Sequence, residues 1–515
     1  MTARLAIAAT SELAAQAGAH VAEAGGNAVD AAIAAILVSM NTEPGICSLA
    51  CGGYMTIWPP GGEPVTLDGY VTAPGSGPSP LPEAERNAWN IEMLYGGGIT
   101  TTIGPDSVGV PGGVALLGMA SQDFGTVPWP VLLEPAIAAT RAGFPLPLAS
   151  MHYLEHSGEP IFGRSSDGRA ALYHPDGRLK EAGETIHIPN LADTLERIAR
   201  CGANEFYTGE IGRSIAAYMR ANGGRLNESD LAGYRVERRP SLIIESGADV
   251  ARSWRIATNP PPAVGGTVLA AMLKMVNRHS IESWDAAAIK TIVDVQRLAL
   301  GYRREHLDLS DDIEADAQRL LELAATCDAA SALQSGSTCH ASAVDASGLT
   351  CAVTVSSGYS SCDMPPGTGV WLNNCLGELE LNKRGLDIGP PGTRLPSNMA
   401  PTTALADNGT ALAIGSPGAD RITTAILQAL VGYMQIGLPL DEAIRLPRAH
   451  VEFPSEGVRV ACEPGLPVDD ITIPHRSFDS LSMYFGGVSG ASWSPDAGFT
   501  VAADPRRTGG TWQHP

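Results

Sequence analysis

Basic charge is scarce in this 515-residue chain: 34 Lys and Arg stand against 55 Asp and Glu, a formal net charge of -21 with no basic patch. A surface of that sign repels a nucleic-acid backbone, so nucleic acid is not an expected partner. Paired cysteines of the metal-binding kind are missing too. None of the nine Cys forms a CxxC pair, and Cys47 and Cys51 have no second ligand pair downstream. That argues against a zinc–thiolate site and for reduced thiols in a cytoplasm. Long apolar runs are absent: the longest, "AAIAAILVSM" from Ala31, is too short to span a membrane and fits a buried helix. The opening "MTARLAIAATSELAAQAGAH" has too short an apolar stretch for a secretory signal, so a cytoplasmic protein with no membrane partner is expected. Nucleotide fingerprints are lacking as well. There is no GxGxxG, and the Gly pairs at 25–26 and 52–53 are followed by no Lys-Ser/Thr.

What is present is a turn-rich, core-forming composition, 44% apolar and 17% charged with 58 Gly and 38 Pro. "SELAAQAGAHVAEAGG" reads as a helix stopped at Gly25-Gly26, and "NAVDAAIAAILVSM" as a second helix with Asn27 as N-cap and Asp30 in capping-box position. A strand follows at 53–58, then a Gly/Pro-rich, loop-like stretch over 59–113. Residues 190–335 read as mostly helical, with an acidic, Ala-rich exposed connector over 312–335. Strands dominate after Thr338, ending in "ALAIGSPG" and the helix "ITTAILQALVGYMQIG". Strands, a helical middle and strands again fit two sheets sandwiched between helices within one domain, although the length alone would allow three or four domains.

Three places could carry chemistry. In "STCHASAVDASGLTCAVTVSSG", Ala346-Ser347-Gly348 makes a three-residue hairpin loop. If Asp345 faces Leu349, the register sets Thr338 opposite Ser356, with Cβ atoms roughly 4.5–5.5 Å apart, within hydroxyl-to-hydroxyl reach. The plainer alternative is a Thr–Ser cross-strand pair without a chemical role. "IGSPGADRI" (414–422) is a strand entering a Gly-rich turn and then a helix, whose successive N–H groups could hold an anion or a developing oxyanion. "HYLEH" (152–156) matches a zinc-enzyme pattern through His152, Glu155 and His156, but no third ligand is evident and a solvated helix face explains it better.

Taken in order, the motifs resemble the γ-glutamyltransferase family of N-terminal nucleophile hydrolases. "GGNAVDAAIAA" (25–35), "VGVPGG" (108–113), "NESDLAGYRVERRP" (227–240), "NPPPAVGG" (259–266), "TCHASAVDASG", "GVWLNN" (369–374), "RLPSNMAPT" (394–402), "IGSPGADRI" and "PRAH" (447–450) carry the likeness along nearly the whole chain. The resemblance implies an α+β fold, a four-layer αββα sandwich. It also implies a proenzyme that cuts itself between Ser337 and Thr338 into a large chain, 1–337, and a small chain, 338–515, which stay associated as one intertwined domain. Thr338 falls at the family's nucleophile, Ser356 at the threonine that hydrogen-bonds it, and Gly418 and Ala419 at the oxyanion pair. The partners implied are a small-molecule amide and a water or amine acceptor, with no cofactor and no metal.

The departures lie in the substrate pocket. Tyr70 stands where the family has a carboxylate-binding arginine. Ser397 is kept but its serine neighbour is Asn398, the family's asparagine is Gly358, its glutamine or glutamate is Cys375, and its aspartate is matched only by Glu378. Losing a bidentate arginine from a carboxylate site costs roughly 1.5–3 kcal/mol. The reading that follows is an amidohydrolase or acyltransferase acting on something other than ordinary γ-glutamyl compounds, a short acyl amide such as oxamate for example. The alternatives are a true γ-glutamyltransferase or glutathione hydrolase, with Arg394 or Arg421 serving the carboxylate, and an uncleaved binding protein on the same scaffold.

Overall fold

The computed structural model describes residues 4–78, 81–94, 98–246, 253–325, 338–454 and 457–514. Two antiparallel sheets organise the described residues. The larger has seven strands in the order Gly510–Gln513, Leu5–Ala9, Cys339–Asp345, Thr350–Ser356, Gly52–Trp58, Val65–Gly69, Glu237–Pro240. The smaller has six, in the order Gly498–Ala503, Ser489–Ser494, Ala411–Gly415, Thr402–Ala406, Trp254–Thr258, Leu242–Glu245. Cys339–Asp345 and Thr350–Ser356 are central strands that pack across onto Ala411–Gly415, so both of their faces are buried.

The helix Ala28–Thr42 lies under these central strands and is buried along its whole length, which is why its sequence is apolar all round rather than striped. Its start is fixed by the expected capping box: the Asn27 side chain accepts from the Asp30 N–H while the Asp30 carboxylate accepts from the Asn27 N–H. On the smaller sheet, Val264–Val276 and Arg421–Leu430 pack against the strands, and Ala286–Tyr302 and Ile313–Leu323 lie against Val264–Val276. Alternation along Cys339–Asp345 separates two environments. Cys339, Ala341 and Ala343 join the helix-side core with Ile33 and Ile36, whereas His340, Ser342 and Val344 face the other sheet.

Two local expectations need correction. The 59–113 stretch contains three strands, Val65–Gly69, Trp89–Met93 and Ile99–Ile103. Their pairing to distant or neighbouring strands overrides the Gly and Pro signal. The middle is mostly helical as expected, with three strands set among its helices, Glu237–Pro240, Leu242–Glu245 and Trp254–Thr258. In the supposed connector, Ile313–Leu323 is a helix that buries Ala317, Leu320 and Leu321, and the rest of it from 326 on lies outside the described residues. No helix among the described residues is long and apolar enough to cross a membrane.

Candidate active site

The hairpin register is the one its loop dictates. Cys339 pairs with Val355, His340 with Thr354 and Val344 with Thr350, and Gly348 takes the left-handed φ of 86° that closes the turn. Continued by one residue, the same register sets Thr338 opposite Ser356, and both are buried. Because side chains alternate, Thr338 shares a face with His340, and Ser356 with Thr354, the face turned to the second sheet. His340 and Thr354 join directly, Nδ1 to Oγ1 at 2.8 Å, and the other ring nitrogen meets Ser342 Oγ at 2.7 Å. Burial pushes the His340 imidazole down to about 3, so this ring is neutral and structural at ordinary pH. Ser356 Oγ accepts from the Gly358 N–H at 3.1 Å. Ser337, on the other side of the expected scissile bond, lies outside the described residues.

The second sheet brings the other half. Its strand Ala411–Gly415 ends against His340: a Cβ on Gly415 would sit 2.2 Å from the imidazole, so only glycine lets the strand come this close. From there the chain turns through Gly418 and Ala419, with φ of 125° and 53°, into the helix Arg421–Leu430. Ala419 is one of four described non-glycine residues with positive φ, a conformation that costs roughly 1–2 kcal/mol. Among the described residues, the N–H groups of Gly418 and Ala419 donate to no partner, while their carbonyls accept from Arg421 and Ile422. Two free donors on a strained strand-to-helix turn suit an anion or oxyanion.

The remaining candidates form one connected wall. Tyr70 is buried, stacks on Tyr54 at 5.6 Å between ring centroids, and lies beside the Cys375 thiol. Beyond Cys375 comes Glu378, 1% exposed, with neither carboxylate oxygen hydrogen-bonded among the described residues. Burial, then the nearby Glu380 and Asp420 charges, push its carboxyl up to about 8. Gly358 explains part of this. At φ 63° its missing side chain leaves room that Asn374 Oδ1 and Glu378 Oε2 crowd, 2.5 Å and 3.1 Å from where a Cβ would be. Asn398 donates to Asp420 Oδ1 at 2.5 Å, and the Ser397 carbonyl accepts from the Val264 and Gly265 N–H groups, both at 2.9 Å.

Neither arginine offered as a substitute is available in this geometry. Arg394 donates to the Tyr70 carbonyl at 2.5 Å and the Tyr234 hydroxyl at 2.7 Å, and its Nε lies 3.3 Å from the Asp68 carboxylate. Arg421 donates to the Tyr484 carbonyl at 2.8 Å with its guanidinium over that ring. His152 and Glu155 sit about half exposed on the helix Leu148–Ser157, and no cluster of three or more His, Cys, Asp or Glu suited to a metal occurs among the described residues.

Sequence reasoning missed two polar groups here. Arg303 bonds the Asp308 carboxylate at 2.8 Å and Asp420 at 2.6 Å, all three side chains being buried. Behind Cys339, its thiol meets Glu43 Oε2 at 3.6 Å, and Glu43 in turn accepts from Thr10 Oγ1 at 2.8 Å. Asp420 could have been found from its place directly after Gly418-Ala419. Arg303 and Glu43 could not be placed, because the groups that tie them to the site, Asp420 and Cys339, are 117 and 296 residues away in sequence.

A sequence model described as gamma-glutamyltranspeptidase matches residues 14–513. Among curated relatives, the chain is 29% identical to the acylase ACY 1 proenzyme of Pseudomonas sp. (strain SE83), covering 96% of this chain and 91% of that one. It is 28% identical to the glutathione hydrolase proenzyme of Escherichia coli (strain K12), covering 97% and 90%. Its fold is similar to the crystal structure of cephalosporin acylase from Bacillus halodurans, with a TM-score of 0.78 at 22% identity over 100% of this chain and 97% of that one. The chain belongs to the gamma-glutamyltranspeptidase family.

Proposed function

We propose that this is an autoprocessed amidohydrolase or acyltransferase with Thr338 as nucleophile, acting on an acyl amide other than ordinary γ-glutamyl compounds. The observation that carries the reading is the meeting of two features: Thr338 in register with Ser356 on one sheet, and the Gly418 and Ala419 N–H groups, unpartnered among the described residues, at the end of the facing strand. The packing of helices on the far side of each sheet is read as the αββα order of N-terminal nucleophile hydrolases.

In processing, Thr338 Oγ1 adds to the Ser337 carbonyl carbon, the Ser337–Thr338 C–N bond breaks, and the amine is freed as an ester forms. Water then hydrolyses the ester, releasing the Ser337 carboxylate and restoring the Thr338 hydroxyl. The products are chains 1–337 and 338–515, held together by the shared sheets. The new α-amine, with a pKa of about 7.7–8.0, takes the Thr338 hydroxyl proton as that oxygen attacks a substrate amide. Ser356 orients the attacking oxygen, the Gly418 and Ala419 N–H groups hold the oxyanion, and the leaving amine departs with the proton. Water or an amine then takes the acyl group from the ester. The residues in this sequence need no cofactor or metal.

Tyr70, Cys375, Glu378, Ser397 and Asn398 form the acyl pocket. Tyr70 in the arginine's place, with Arg394 and Arg421 engaged elsewhere, favours an acyl group without a γ-glutamyl α-carboxylate, a short acyl amide such as oxamate being one candidate. The likeness to an acylase proenzyme supports that reading, and the likeness to a glutathione hydrolase proenzyme keeps γ-glutamyl turnover as the second. Turnover of a γ-glutamyl anilide is to be compared with a panel of short acyl amides. Preference for the short amides is expected; efficient γ-glutamyl turnover with a KM insensitive to changes at Tyr70 would overturn the proposal.

A further inference from the structure

The turn holding Gly418 and Ala419 is strained and ends in an aspartate that does not cap its helix. Asp420 sits at the N-cap of Arg421–Leu430, where an Asp side chain ordinarily accepts from the N–H groups one turn on, yet it makes no such bond. Its Oδ1 instead accepts from Arg303 Nη1 at 2.6 Å and Asn398 Nδ2 at 2.5 Å. Arg303 lies just past the helix Ala286–Tyr302, in a short π-turn over Arg303–Leu307. Its other arm binds Asp308, which closes that turn locally. The local pair would suffice to shape the helix end, so the reach to Asp420 across 117 residues needs its own explanation.

We propose that Arg303 is a positioning residue for the oxyanion turn, acting through the Asp420 carboxylate to aim the Gly418 and Ala419 N–H groups. Three segments meet at that carboxylate: the end of Ala286–Tyr302, the Ser397-Asn398 wall and the turn itself. The tether opposes two tendencies of the turn. Ala419 at φ 53° favours relaxation to an ordinary backbone, and burial raises the cost of a charged Asp420, which the Arg303 guanidinium offsets. The planar fork of arginine reaches two carboxylates at once, which a lysine in the same place does not do with one ammonium. In the proposed cleaved enzyme Arg303 belongs to the large chain and Asp420 to the small one, so the oxyanion donors are aimed from across the cut.

This inference rests on the reading of the turn as an oxyanion hole, and the test separates the two. Wild type, Arg303→Lys, Asp420→Asn and the double variant are compared by intact mass, steady-state kinetics on the best amide found, and amide hydrogen exchange over residues 415–421. Because a whole oxyanion donor is worth about a hundredfold to a thousandfold in kcat, Arg303→Lys is expected to lower kcat per cleaved enzyme at least about tenfold. KM should stay within about threefold, as for a contact made in the transition state. Exchange over 415–421 should quicken, and the double variant should be no worse than Asp420→Asn alone. Wild-type kcat in Arg303→Lys, additive losses in the double variant, or unchanged exchange over 415–421 would each overturn the proposal. Asp420→Asn keeps the Asn398 bond and gives the same answer should Arg303→Lys fold poorly. A wild type that stays uncut and turns over no amide overturns the oxyanion reading instead, and the exchange comparison still decides whether Arg303 holds the turn.

Discussion

The two sides of the site treat their polar groups differently. On the side of Thr338, Ser356 and His340, the hydrogen bonds of Ser356 and His340 are short, and among the described residues two backbone N–H donors on a strained turn are left free. On the side of Tyr70, Cys375 and Glu378, burial dominates, and a carboxyl stands in the interior without a hydrogen bond among the described residues. Donors without acceptors suit a charge that appears only in a transition state, whereas an unpartnered, largely protonated acid suits a group that arrives with the substrate. The first side carries the reaction in this view, and the second decides what reacts.

Thr338→Ala tests the first side most severely. Chain cleavage and turnover should both be lost, by at least about a thousandfold in rate, as for removal of other nucleophiles. A denaturing gel with intact-mass analysis reads it: fragments ending at Ser337 and beginning at Thr338 in wild type, one uncut chain in the variant. An uncut wild type of full activity would erase the distinction between the two sides. Gly418→Ala comes next. A Cβ there would lie 2.8 Å from Gly486 Cα, so the turn must move and kcat should fall about a hundredfold or more, with a much smaller change in KM. Steady-state kinetics on the cleaved enzyme check this, and an equal rise in KM would assign the turn to substrate recognition.

Glu378 sharpens the other side through pH. Its folded pKa of about 8 lies above the ordinary 4.5, so the folded state keeps a proton that the unfolded chain releases between those values. Its contribution to stability is therefore full below about pH 4.5 and is lost as pH rises to 8, at up to about 1.4 kcal/mol per pH unit. Urea unfolding at pH 5.5 and pH 8 should show a larger loss in wild type than in Glu378→Gln, and equal losses would mean that the acid is not held neutral. The smallest effect belongs outside both sides. His152→Ala, on a half-exposed helix face, should change stability by no more than about 0.5 kcal/mol and leave turnover intact with or without a chelator. Activity lost to the chelator and to this variant together would move the chemistry to a metal site.

Much of the first side could be read from the sequence because its causes are local. The loop Ala346-Ser347-Gly348 sets the register of fourteen flanking strand residues by itself, and the Asn27–Asp30 box sets the helix beneath them. The second side could be read as a list of departures but not as an arrangement. Tyr70, Cys375 and Glu378 touch only after the chain has folded, and the engagement of Arg394 depends on Asp68 and Tyr234, each more than a hundred residues away. The strands Val65–Gly69 and Ile99–Ile103 were hidden for the same reason, since Gly and Pro describe their ends and not the partners that hold them.

The contact of the His340 ring with Gly415 acts as a spacer between the two sheets. One sheet brings Thr338, the other brings the Gly418-Ala419 turn, and the thickness of one imidazole against a bare backbone sets the gap between them. A bulkier residue in place of Gly415 would wedge that gap open, and a smaller one in place of His340 would let it close. In the proposed mechanism, the distance between the attacking oxygen and its stabilising donors is thus gauged by a side chain that takes no part in the reaction.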